Sequence, residues 1–142
     1  MNTEPLANAT ATVPPVDASL ITYTHIIYAL HGLSALIGLT SSMTVVGNFV
    51  FGLPSIVAVI MNYARRSAVR GTFLESHFRW QIRTFWYGLL FALIVWAVSL
   101  PLMFVIVGFG TLLIGLALVG VWLIYRVARG WLALKDRKAM YV

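Results

Sequence analysis

Few side chains in this sequence could do chemistry. His25, His31 and His77 are its three histidines, Glu75 is the one carboxylate between residues 18 and 135, and there is no cysteine. Disulfides, thiolate metal sites and a cysteine nucleophile are therefore excluded. His25 and His31 are six residues apart, which puts them about 120° apart on a helix of ~3.6 residues per turn, so they cannot share a face. A bis-histidine haem or metal site would need ligands from other helices, and the other apolar segments hold neither histidine nor carboxylate. His77 and Glu75 could be cast as an acid–base pair, yet two residues apart on a helix they point to different sides. No catalytic, cofactor-binding or metal-binding residue is expected, and the chain reads as something other than an enzyme.

His31 belongs to a stripe of small and polar residues, with Ser34, Ala35, Gly38 and Ser41 or Ser42 recurring at helical spacing. An imidazole in the middle of an apolar span is unfavourable unless it is hydrogen-bonded, so His31 is expected to make an intramembrane polar contact to a neighbouring helix. A proton or ligand role is the second reading of the same residue.

The elements that must position these groups follow from charge. Residues 18–64 and 84–125, runs of 47 and 42 residues, contain no Asp, Glu, Lys or Arg. A helix crossing a hydrocarbon core of ~30 Å needs roughly 20 residues, so each run is expected to cross twice. Composition agrees, with 61% hydrophobic and 10% charged residues and a mean hydropathy of +0.91. The expected fold is an all-α integral membrane protein: four transmembrane helices at about 20–40, 49–63, 84–105 and 111–129, arranged as two hairpins joined by a basic amphipathic interfacial helix at about 72–83. Residues 1–19 read as a disordered polar tail, 20–130 as the four-helix domain and 131–142 as a basic tail. The N-terminal tail lacks the positive start of a secretory signal and the arginines of a transit peptide, so the first helix is expected to be retained. Turns are expected at the cluster ending in Gly47 and Asn48 and at 107–110. Pro54 is expected to bend helix 2.

The ten basic residues fall in two groups, five in 65–83 and five in 126–138, with none in the N-terminal tail or either turn. Four spans put both groups on one side, so both termini are expected to be cytoplasmic. Arg65, Arg66, Arg70, Arg79, Arg83, Arg126 and Arg129 are the expected lipid-headgroup contacts, and this clustering beside apolar helices argues against nucleic acid as a partner. Thr72 and Glu75 have the T-x-x-E spacing of a capping box, so a helix should start there. Its residues sort into an apolar row (Leu74, Phe78, Ile82, Phe85), a charged row (Glu75, Arg79, Arg83) and an uncharged polar row (His77, Gln81, Thr84). The third row is the candidate interaction patch, set against the mouth of the bundle or a partner. Trp80, Trp86 and Tyr87 are placed for an aromatic belt.

The order HGLSALIG, then FGLPSIVAVIMNYARR, then RGTFLESHFRWQIRTFW and a glycine-rich last pair of helices resembles a bacterial family of small membrane proteins catalogued as a domain of unknown function and grouped with the chloroplast Tic-twenty import component. The likeness covers roughly residues 24–140. His77, Gln81 and His31 match that family's pattern, while the Arg-rich loop and the Ser-His-Phe-Arg-Trp run depart from it. The resemblance implies a four-helix protein of the bacterial inner membrane with no assigned activity, and the import role of the plastid relatives does not carry over. The expected function is a non-enzymatic membrane subunit or assembly factor, with a small oligomeric channel or transporter component as the alternative. Expected partners are membrane lipids and either further copies of the chain or another membrane protein.

Overall fold

The computed structural model describes residues 15–41 and 45–140. All regular structure among them is helical: α1 (Ala18–Ser41), α2 (Val45–Ala64), α3 (Phe73–Leu102), a short 3-10 turn (Met103–Val105) and α4 (Val107–Lys135). Three stretches are long and apolar enough to cross a membrane, Ala18–Thr40, Phe73–Val105 and Val107–Lys135, and Gly52–Ala64 is an apolar stretch within α2. Residues 1–14 of the polar tail, residues 42–44 of the first turn and residues 141–142 lie outside the described residues.

Helix boundaries differ from the sequence expectation in four places. Gly47 and Asn48 lie inside α2, which begins at Val45. Glycine and asparagine are disfavoured inside a helix, glycine by about 1 kcal/mol relative to alanine, but not excluded from it. The second turn is not 107–110. It falls at 103–106, after Pro101, where Ile106 takes a left-handed φ of 66° and Val107 already starts α4. Gly108 serves a different purpose from turning the chain: a Cβ there would collide with the backbone of Met103 and Ser99, so only glycine lets the two helix ends cross this closely. The interfacial segment at 72–83 and the following span form one unbroken helix of 30 residues. Finally, α4 continues past 129 to Lys135, taking in the first part of the expected basic tail.

The start of α3 shows why it begins where it does. Gly71 adopts a left-handed φ of 75°, and the extended Thr72 accepts a hydrogen bond from Leu74 N at 3.2 Å. Glu75 reaches back past Thr72 to accept from Gly71 N at 2.9 Å. The reciprocal cap is thus shifted by one residue relative to the simplest capping box. At the start of α1, Asp17 accepts from Ser19 N at 2.9 Å, and these hydrogen bonds hold its carboxyl below the usual range.

Packing is uneven. α3 lies along α4 and α1 along α2, with α1 also against α4, while α2 and α3 barely meet. The buried core, Ile27, Tyr28, Ala58, Val69, Leu74, Phe78, Val127 and Leu134, gathers at the end of the bundle that carries the basic segments. Towards the other end, Leu90, Leu93, Ile94 and Val98 on α3 and Ile114, Leu118 and Val121 on α4 are exposed. At the packed end, α4 reaches Tyr28 because residue 130 has no side chain: a Cβ at Gly130 would lie 2.5 Å from the Tyr28 hydroxyl oxygen and 2.6 Å from its ring. Gly130→Ala is therefore expected to destabilise the fold by about 1 to 3 kcal/mol, the usual range for overpacking. Gly110→Ala, with nothing within 4 Å of the new methyl group, should be neutral, and thermal unfolding in detergent compares the two.

Candidate functional site: a buried polar seam

The polar row of α3 faces inward. His77, Gln81 and Thr84 are 0%, 1% and 3% exposed, so none of them is available to a partner subunit at the surface. The structure brings His77 against two other segments. Its Nε2 lies 2.7 Å from the carbonyl oxygen of Lys138, and its Nδ1 lies 2.9 Å from the Tyr28 hydroxyl of α1. A carbonyl only accepts, so Nε2 carries the proton, and in the neutral ring Nδ1 accepts from the Tyr28 O–H. The Tyr28 and Phe73 rings meet the imidazole edge-on at 5.9 and 6.0 Å between centroids. Beside it, Met140 N donates to Ser76 Oγ at 2.9 Å. Residues 138–140 therefore form a strap over the first turns of α3.

Thr84 leads outward. Its hydroxyl donates to Trp80 O and accepts from Arg126 Nε, both at 2.7 Å. The Arg126 guanidinium lies 3.8 Å from the centre of the Trp80 ring, and the Trp80 indole donates to Arg126 O at 3.2 Å. A cation over a tryptophan face is held by the ring quadrupole, so Arg126 and Trp80 lock α4 to α3. Arg126 thus departs from the other expected headgroup contacts. Arg65, Arg66, Arg70, Arg79, Arg83 and Arg129 are exposed, and Arg66, Arg70 and Arg79 border a depression of about 280 Å³ together with Glu75. Glu75 pairs with Arg79 at 3.1 Å, an exposed contact worth only ~0.2 to 0.5 kcal/mol.

His31, 5% exposed, meets α2: its Nδ1 lies 3.2 Å from Ser55 Oγ. Its Nε2 has no hydrogen-bond partner among the described residues, nor do either of the side-chain atoms of Gln81 and Asn62. Gln81 and His31 border the same small gap, with Tyr28, Trp80, Thr84 and Val127 around it. From His31, Ser55 and Thr84 a larger cavity of about 380 Å³ extends between α2, α3 and α4, otherwise lined by apolar side chains such as Phe85, Leu89, Trp96 and Leu123. His25 lies elsewhere, accepting from the Trp131 indole at 2.9 Å near the surface. Among the described residues no three His, Cys, Asp or Glu side chains cluster as a metal site would require.

Sequence reasoning missed Tyr28, Ser55, Asn62 and the 138–140 strap as parts of this seam. Tyr28 could have been found, since it precedes His31 by one helical turn on the same face. The strap could not, because Lys138 contributes a backbone carbonyl that any residue would supply.

No family model, curated protein or solved structure matches the chain. The resemblance carried by HGLSALIG and RGTFLESHFRWQIRTFW rests on those short motifs.

The seam makes the three segments interdependent. Tyr28→Phe leaves His77 Nδ1 buried without a partner, and is expected to reduce stability by about 1 to 3 kcal/mol. His77→Ala should be at least as damaging, and a double-mutant cycle between the two should give a coupling of roughly 0.5 to 3 kcal/mol in chemical denaturation. Paired replacement of His77 and Gln81 by Ala is expected to act on stability first, because both lie inside the bundle.

Proposed function

We propose that the chain is a multi-pass protein of a bacterial inner membrane, with four transmembrane helices and both termini in the cytoplasm, and that it acts as a non-enzymatic membrane subunit or assembly factor. The observation that carries this reading is the separation of charge from apolar surface. Every Lys and Arg lies in 65–83 or 126–138, and His77 with Lys138, Thr84 with Arg126 and Tyr23 with Met61 draw these segments to one end of the bundle. The N-terminal turn of α1 is at the same end, where Leu20 packs against the core. One basic end and a long apolar belt are what a protein oriented by the positive-inside rule requires. α2, at 20 residues from Val45 to Ala64, has the length a full span needs.

A packed component is favoured over a conducting path by how the helices close on one another. Cβ atoms at Gly88 and Gly115 would lie 2.9 and 2.6 Å from Leu123 and Val95, so α3 and α4 meet with no room between them at these levels. An acid–base role is disfavoured by the same geometry: His77 has both ring nitrogens engaged inside the protein, while Glu75 turns away to Gly71 and Arg79.

Reporters fused at residue 1 and residue 142 are expected to read out on the cytoplasmic side, and reporters inserted at 42–44 or 103–106 on the opposite side. An external C-terminus would mean an odd number of spans and would defeat the layout. Crosslinking in native membranes should then capture a reproducible complex with a different membrane protein. Recovery of nothing but oligomers of this chain would favour the channel reading instead.

A further inference from the structure

The chain passes from α2 into α3 through a short segment whose backbone is held by successive turns. Arg66 N, Ala68 N, Arg70 N and Thr72 N donate to Tyr63 O, Arg65 O, Ser67 O and Val69 O at 3.4, 3.1, 3.4 and 3.2 Å, and the Thr72 hydroxyl donates to Val69 O at 2.7 Å. Val69 is wholly buried and pins the middle of the segment into the core cluster that holds Leu74 and Phe78. Arg66 and Arg70 flank that pin. With Arg79 and Glu75 they rim the depression of about 280 Å³, whose remaining lining is the buried Val69 and Phe78.

The charges on this rim do not cancel. Both oxygens of Glu75 are already engaged, Oε2 by Gly71 N at 2.9 Å and Oε1 by Arg79 at 3.1 Å. No other carboxylate lines the depression, and among the described residues neither Arg66 nor Arg70 has an acid within ion-pair distance. Three guanidiniums against one carboxylate therefore leave two positive charges facing one space. A guanidinium presents its N–H donors in a planar fork that matches two oxygens of a phosphate. A phosphomonoester carries a charge of about −1.5 to −2 near neutral pH and has three strong acceptor oxygens.

We propose that the depression binds one phosphate group, gripped by Arg66 and Arg70 with Arg79 as a third donor, and that it prefers a phosphomonoester, whose charge matches both uncompensated guanidiniums, to a singly charged phosphodiester. The site is narrower than the general attraction of basic segments for an anionic surface: Arg65, Arg83 and Arg129 are also exposed but do not line it. Its position suits a lipid head. Arg66 lies one turn beyond Tyr63, whose hydroxyl accepts from the Trp86 indole at 3.3 Å, and such exposed aromatic pairs sit at the level where acyl chains give way to headgroups. The phosphate site stands on the depression alone; its assignment to a lipid rests on the membrane reading, which the terminal reporters test separately.

The full chain in non-ionic detergent is titrated with dioleoyl phosphatidic acid, a lipid phosphomonoester, and with dioleoyl phosphatidylglycerol, a phosphodiester, and bound lipid is counted by native mass spectrometry. Phosphatidic acid is expected to fill one site at least about tenfold more tightly than phosphatidylglycerol, the effect of one further charge-assisted contact. Arg66→Gln and Arg70→Gln should each weaken that first equivalent about tenfold. Arg83→Gln combined with Arg129→Gln removes two positive charges outside the depression and should change it by about threefold or less. Thermal unfolding of each variant checks that the fold is kept. Excess glycerol 3-phosphate, a soluble phosphomonoester, separates the sources: failure to displace the lipid assigns the site to a headgroup, and displacement at matched concentration assigns it to a phosphomonoester in solution. Equal weakening by the Arg83 and Arg129 pair would reduce the attraction to unspecific charge and overturn the proposal, as would equal binding of the two lipids or binding unchanged in folded Arg66→Gln and Arg70→Gln variants.

Discussion

The structure depends most on the hydrogen bond between the Tyr28 hydroxyl and His77 Nδ1. Both side chains are almost wholly buried, so each needs the other, and the bond exists only if α1 and the start of α3 arrive together. α4 can arrive because residue 130 is glycine, and residues 138–140 then fold back to occupy the remaining nitrogen of the imidazole and the hydroxyl of Ser76. In a medium of low dielectric such a bond is strengthened and its loss is correspondingly expensive. One imidazole thereby ties together segments separated by 49 and 61 positions in the chain.

A second consequence is the asymmetry of the bundle. The apolar core and most long-range polar contacts lie at the basic end, where helix ends, caps and the strap crowd together. Away from it, the helices keep apolar side chains on their outer faces. Water would make that arrangement unfavourable, since large exposed apolar patches drive association. A lipid surround removes the difficulty, because tails are as apolar as the leucines they touch and small residues at the contacts supply the packing.

Much of this was legible in the chain. Two uncharged runs, separated by one basic island and followed by another, suffice to mark apolar helices and to gather the charges. The start of α3 was also legible, since Gly71, Thr72 and Glu75 act locally. Turns were less so. Gly47 and Asn48, and the 107–110 run, have the composition of turns, yet they lie in helices: turn composition is a weak local preference that helix continuation overrides, and Gly108 answers to a neighbouring helix end.

The residue types and their spacing by themselves determined that His77, Gln81 and Thr84 form one row and that His31 needs a polar partner, because helical periodicity and the desolvation of an imidazole are local properties. Tertiary structure alone decided what those rows meet. Nothing in the spacing says that His77 will find Tyr28 and the Lys138 carbonyl, or that Arg126 will lie over Trp80. Nor does it say that α2 and α3 will barely meet, leaving a cavity with His31 at its end, or that the Gln81 amide will go unpaired beside a small gap. Those outcomes depend on how closely pairs of helices approach, which is set by which side chains are missing at the crossings, and that is a property of two helices at once.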